Sequence, residues 1–182
     1  TLGYKWIDDL IQIGVAVTST KDGSIVAVNG GRNYNGQRLF NRATSDDMLA
    51  HPGSTAKPIF DYGPFIEYNN GSPATYFFDE EMRYSNGQKL KNSDGTYLGM
   101  ISMRTALYRS RNIPAVQAFQ QVDKDKIAEF VHNLGMEYGD TLYESMAIGG
   151  FDGINPLELS AAYAAFGREG YYIEPYSFTK II

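Results

Sequence analysis

Two β-branched runs, residues 13–18 (Ile-Gly-Val-Ala-Val-Thr) and 24–28 (Ser-Ile-Val-Ala-Val), flank the turn residues Lys21-Asp22-Gly23. Strand, turn and strand in this order make a β-hairpin. Gly30-Gly31 ends its second strand. Most of the chain beyond residue 31 is written for helices and loops, so the hairpin has to be one layer of a domain whose other layer is helical. Residues 41–53 are polar and turn-rich, and a helix is expected from Ser54 into the 60s. Residues 69–99, full of Gly, Asn, Ser and Asp, read as a long loop with short pieces of structure.

Helical signals return at residues 101–110. Pro114 suits the first position of the next helix. Asp123 can cap a third, whose apolar face carries Ile127, Phe130, Val131 and Leu134, and Gly135 stops it. The clearest helix start is Asn155-Pro156-Leu157-Glu158: a capping side chain, a proline at the first position and a glutamate at the third. Leu159, Tyr163 and Phe166 follow at helical spacing, with alanines that suit close packing against another helix, and Gly167 or Gly170 ends the run. The outline is a strand hairpin over 13–28, a serine-bearing helix from 54, a helical subdomain over about 69–150, a helix over 156–169 and a strand start over 176–182. That is an α/β class (α+β layered) domain whose sheet is incomplete within this chain.

Composition narrows the functions. A net charge of −5 argues against a nucleic-acid partner, which would call for a basic face. No apolar run approaches the ~20 residues of a membrane span, so any anchor is expected outside this chain. The absence of cysteine excludes disulfides and thiolate chemistry. The two histidines, His51 and His132, are far apart, so no metal site and no cofactor is expected. His51, three residues before Ser54, reads as a loop residue and His132 as a surface or boundary residue.

Ser54-Thr55-Ala56-Lys57 carries the candidate chemistry. Three residues apart on a helix places hydroxyl and amine on one face. A neutral lysine amine can take the serine proton where burial or nearby cations lower its pKa. A helix N-terminus favours a developing alkoxide, and Gly53 permits close approach of a substrate. The spacing alone discriminates little, because about one such match is expected by chance in a chain of this length. Ser177-Phe178-Thr179-Lys180 fits it too, but in a strand-like tail, where positions three apart face opposite ways. Ser54 differs in its Pro-Gly approach, its helical setting and Pro58 after the lysine. Ser110-Arg111-Asn112 is the second candidate: a hydroxyl that can relay a proton and an amide that can hold a peptide group. Taken alone, the same residues read as caps between two helices.

In order and context these motifs resemble a known family. A Ser-x-x-Lys followed by a Ser-x-Asn is the pattern of penicillin-binding proteins and serine β-lactamases. Gly23-Ser-Ile-Val-Ala-Val-Asn-Gly-Gly31, Phe40-Asn-Arg-Ala-Thr44 and Pro52-Gly-Ser-Thr-Ala-Lys-Pro58 are similar to the transpeptidase domain of class A (bifunctional) penicillin-binding proteins. So are Tyr97-Leu-Gly-Met-Ile-Ser-Met-Arg-Thr-Ala-Leu107, Ser110-Arg-Asn-Ile-Pro-Ala115 and Leu157-Glu-Leu-Ser-Ala-Ala-Tyr-Ala-Ala-Phe166. The resemblance implies an antiparallel sheet with a helical subdomain. It implies that Ser54 attacks a D-Ala-D-Ala stem peptide with Lys57 as base, that Ser110 passes a proton to the departing D-alanine, and that Asn112 holds the substrate and Lys57. An amine of a second stem then takes the acyl group. β-Lactams would acylate Ser54, and the setting would be the outer face of the bacterial cytoplasmic membrane.

Two parts of the family pattern fall outside this sequence: the Lys-Thr-Gly strand and the glycosyltransferase domain. The missing C-terminal part of the domain is therefore an expected partner, and the chain alone is expected to be inactive and poorly folded, since an unfinished sheet exposes an edge. His51 and Pro52 stand where members of the family often carry other residues. The nearest rival activities are a serine β-lactamase or β-lactam sensor and a D,D-carboxypeptidase. One hydrolase class uses a Glu-x-x-x-Asn element, which Glu129-Phe-Val-His-Asn133 fits by spacing, though on an amphipathic helix where it reads as exposed. A binding scaffold of the same fold is the alternative outside catalysis.

Overall fold

The hairpin turn is held by its own polar residues. Ser19 N–H donates to the Ser24 carbonyl (2.8 Å), Gly23 N–H to the Ser19 carbonyl (3.0 Å), and Ser24 Oγ to Asp22 Oδ1 (2.8 Å). Strands β1 (Val15–Thr18) and β2 (Ile25–Asn29) are antiparallel, with Val15 opposite Asn29 and an irregularity at Val17/Thr18. The computed structural model describes residues 8, 10–33, 36–47 and 49–180, and the chain divides into two compact units.

The first unit joins residues 1–49 to 154–182. Helix α5 (Pro156–Phe166) lies on β1. Its buried residues are Ala161, Ala162, Ala164 and Ala165, small enough for Ser160 to reach the strand: Thr18 Oγ1 lies 2.8 Å from Ser160 Oγ and bonds the Ser160 carbonyl at 3.0 Å. The alanine face meets a strand where a partner helix was expected, while Tyr163 and Phe166 are exposed and their rings meet edge to face with centroids 5.8 Å apart. The helix stops at Phe166, short of 169, where Gly167 caps it and Arg168 and Gly170 N–H groups both take the Ala165 carbonyl. Near the C-terminus, a single parallel bridge joins Tyr176 to Ser24. Residues 177–180 form no strand, and residues 181 and 182 of the expected one lie outside the described residues.

The second unit, residues 50–153, is built around helix α3 (Asn112–Gln121). Ile113, Ala115, Val116, Ala118 and Phe119 are buried on nearly every side of it, as a central helix requires. Around it lie α1 (Gly63–Asn69), α2 (Met103–Tyr108), a 3-10 turn over Glu144–Ile148 and strand β3 (Tyr76–Asp79). Strand β3 pairs with β6 (Gly99–Ser102), and β4 (Met82–Arg83) pairs with β5 (Lys89–Leu90). Ile101 and Ser102, read from sequence as helical, are therefore the end of a strand. Ser102 caps α2 by accepting from Thr105 N–H.

Helix α3 starts two residues earlier than Pro114 suggested; a proline still fits there, since first-turn N–H groups have no intrahelical acceptor. Helix α4 (Lys124–Asn133) is capped by Asp123 and ends in a Schellman turn: Met136 N–H bonds the Val131 carbonyl (3.3 Å) and Gly135 N–H the His132 carbonyl (2.8 Å). Gly135, at φ +70°, takes the left-handed position.

The α5 cap gives a direct test. Asn155 is buried and its Oδ1 accepts from Glu158 N–H at 2.9 Å. Asn155→Ala is expected to cost about 1–2 kcal/mol in urea unfolding; an unchanged midpoint would contradict this assignment of the cap.

Candidate active site

The segment bearing Ser54 and Lys57 is helical from Gly53 to Asn69, but not as one α-helix. A 3-10 turn (Gly53–Ala56) passes into a π-helical turn (Pro58–Tyr62) and then into α1. Pro58 sets this up. It has no N–H to offer the Ser54 carbonyl, which instead takes Lys57 N–H. A 3-10 turn has three residues per turn, so positions 54 and 57 stack more directly than in an α-helix. The α-helical N-terminus expected at Ser54 is replaced by this stacking. Gly53 is left-handed at φ +55°, and a Cβ on Gly149 would overlap its backbone N, Cα and O. The end of the Glu144–Ile148 turn thus lies directly against the residue before Ser54.

Ser54 is exposed, whereas Lys57 is fully buried. Lys57 Nζ donates to the Ser110 carbonyl (2.7 Å), Asn112 Oδ1 (2.8 Å) and Ser110 Oγ (3.1 Å). Three acceptors match the three donors of an ammonium. The first two can only accept, whereas the Ser110 hydroxyl can turn and donate to a neutral amine. The cage therefore serves both protonation states. Burial pushes the Lys57 amine down to about 8; Asp61 opposes this and Arg111 adds to it.

Ser110 pays for its place in backbone conformation. It has φ +53°, and α2 ends on it in a second Schellman turn: Arg111 N–H bonds the Ala106 carbonyl and Ser110 N–H the Leu107 carbonyl. Ser110 occupies the position that glycine fills as Gly135 after α4. A side chain there costs about 1 kcal/mol relative to glycine, the kind of strain that clusters at functional sites.

Of the predicted site residues, the structure brings Lys57, Ser110 and Asn112 into hydrogen-bond contact and leaves the Ser54 hydroxyl without a bond to a described residue. His51 is exposed, and His132 lies on the surface of α4 beside Glu137 and Tyr138. Glu129 is exposed and paired with Lys126 at 2.8 Å, which leaves the Glu-x-x-x-Asn spacing as helix-surface chemistry. Ser177 and Lys180 lie in an exposed segment that bends at residues 177 and 179. Among the described residues no group of His, Cys, Asp or Glu could hold a metal ion.

Sequence reasoning missed Asp61, Asp79 and Asn92, all buried near this cluster. Asp61 lies on the π-helical turn with both carboxylate oxygens unpartnered, and burial holds its carboxyl well above the usual range, against the pull of Lys57. The one available signal was Arg111: an arginine between the two motif residues Ser110 and Asn112 has to find carboxylates if that turn is buried.

The sequence model of the penicillin-binding protein transpeptidase domain matches residues 13–182, and the chain belongs to that family. Penicillin-binding protein 1A/1B of Bacillus subtilis (strain 168) is 46% identical over 178 residues, covering 94% of this chain and 19% of the relative. The crystal structure of penicillin-binding protein 1A from Haemophilus influenzae superposes with a TM-score of 0.79 at 33% identity, covering 91% of this chain and 25% of that one. The PonA1 protein of Mycobacterium tuberculosis in complex with penicillin V shares the fold at a TM-score of 0.75 and 18% identity, over 89% of this chain and 45% of that one. The chain spans less than a third of the length of the first curated relatives it matches.

The strain at Ser110 is measurable with two variants that both remove the hydroxyl. Ser110→Gly is expected to be more stable than Ser110→Ala by about 1 kcal/mol in chemical denaturation. Equal stabilities would contradict the left-handed assignment.

Proposed function

We propose that this chain carries the acylating half of a peptidoglycan D,D-transpeptidase, with Ser54 as nucleophile, Lys57 as its base, Ser110 as proton relay and Asn112 as a holder of Lys57 and substrate. The observation that carries this reading is the buried Lys57 amine, depressed to about 8 and caged by Ser110 and Asn112 one 3-10 turn from an exposed serine. The names of the relatives support it independently.

On this reading the reaction has an acylating half and a transfer half. Neutral Lys57 takes the Ser54 proton as Oγ attacks the carbonyl of the penultimate D-alanine. The tetrahedral adduct collapses with cleavage of the peptide bond, and the proton passes from Lys57 through Ser110 to the departing D-alanine nitrogen. The Ser54 ester is then attacked by the amine of a second stem. A proton leaves that amine, Ser54 recovers one, and a new amide joins the two strands. A β-lactam presents a strained amide to the same serine and acylates it by the first half of this sequence. Water in place of the amine gives D,D-carboxypeptidase activity. No buried glutamate stands ready to activate that water from the Glu-x-x-x-Asn spacing, since Glu129 is exposed and paired with Lys126.

This reading sets the protein at the bacterial cell envelope, on the outer face of the cytoplasmic membrane. Among the described residues no helix is long and apolar enough to cross a membrane, so the location rests on the family.

Two measurements test the reading. Intact mass after incubation of the full-length protein with a penicillin is expected to show one covalent adduct, absent in Ser54→Ala; an adduct that survives Ser54→Ala would place the nucleophile elsewhere. The acylation rate is also expected to follow the neutral fraction of Lys57. It should be level above about pH 8 and fall about tenfold per pH unit below that. A rate that stays level down to pH 6 would remove Lys57 as the base.

A further inference from the structure

The turn that cages Lys57 is itself held from behind. Asn92, 4% exposed, uses its whole hydrogen-bonding capacity. Its Oδ1 accepts from Asn112 N–H at 2.8 Å and Ile113 N–H at 3.5 Å, while its Nδ2 donates to Asp79 Oδ1 at 2.6 Å and to the Thr96 carbonyl at 3.0 Å. Helix α3 has no cap from its own N-cap residue, Arg111. Asn92, distant in sequence, supplies it.

Asp79, fully buried, takes Arg111 Nε on its other oxygen at 2.7 Å, together with Leu98 N–H at 3.0 Å. Arg111 extends further to Asp94 Oδ2 at 2.9 Å and to the Thr96 carbonyl. Asn112 Nδ2 donates to the Lys91 carbonyl at 2.9 Å. Residues 91–98 thus grip the turn on both sides of Ser110 and Asn112, and the middle residue of the motif is the handle.

We infer that Asn92, with Asp79 and Arg111 behind it, is a positioning group for the reaction proposed above, fixing through the α3 N-terminus where Ser110 and Asn112 stand against Lys57. The inference rests on that reading of the site. A buried ion pair adds little net stability compared with apolar packing, and its best-attested use is to fix one arrangement among several. Here every strand of the network ends on the backbone or side chains of the turn, or on the loop that holds it. Ser110, in a left-handed conformation that a non-glycine residue resists, needs such an anchor.

The test is the kinetics of labelling by a fluorescent penicillin in the full-length protein, resolved into noncovalent affinity, first-order acylation rate and labelled fraction at completion. Asn92→Ala is expected to lower the acylation rate constant roughly 10- to 100-fold, the usual consequence of an ångström-scale misplacement, with a smaller loss of affinity through Asn112. A purely structural role would lower only the labelled fraction, leaving the labelled molecules to react at the wild-type rate, and that result overturns the inference. If Asn92→Ala does not fold, Asp94→Asn decides, because Asp94 is the half-exposed end of the network. It is expected to slow acylation about two- to fivefold, and a wild-type rate constant overturns the inference. Failure of the wild-type protein to be labelled is a different outcome: it removes the transpeptidase reading itself, and the positioning role with it.

Discussion

The candidate site depends on one buried amine. Lys57 has no solvent exposure, so its charge can be tolerated only if every donor is met. The carbonyl and hydroxyl of Ser110 and the amide oxygen of Asn112 do this, and they come from a turn more than fifty residues away in sequence. Burial depresses the pKa and the cage accommodates either protonation state, so the amine can lose and regain a proton with no more than a turn of the Ser110 hydroxyl. Ser177 and Lys180 repeat the spacing, but both are exposed and neither is enclosed in this way.

Around this amine the local structure departs from regularity at three places, each with a physical cause. Pro58 lacks an N–H, and the chain answers with a 3-10 turn before it and a π-helical turn after it. Gly149 comes against the Gly53 backbone more closely than a side chain would allow. Ser110 stands in a glycine position. The first stacks position 54 over position 57, the second presses a neighbouring turn against the residue before Ser54, and the third turns the Ser110 carbonyl and hydroxyl toward Nζ together. The buried polar network of Asn92, Asp79 and Arg111 holds the last of these in place.

Local signals made much of this legible in the sequence. The hairpin followed from β-branched runs around a turn, and the caps of α4 and α5 from Asp123 and Asn155, because each rests on neighbours in the chain. The pairing of β3 with β6 was hidden, since Gly99–Ser102 is short and the helical signals of α2 begin beside it. The alanines of α5 signalled close packing, as the structure has it, but their partner is the strand β1 where another helix was expected, because residue size tells how near a neighbour comes and not which element it is. At the site, the motifs named the residues that meet at Lys57. They said nothing of Asp61, Asp79 or Asn92, whose importance lies in burial and in partners far away in sequence.

Direct observation of the Lys57 side chain tests the account at its centre. The amine can be followed by NMR through its Cε and Nζ shifts as pH is raised, with Lys57→Arg to assign the signal. The structure predicts a midpoint near 8. A midpoint at the ordinary lysine value of 10.5 would mean that burial does not depress the amine, and it would contradict the account of Lys57 as a base.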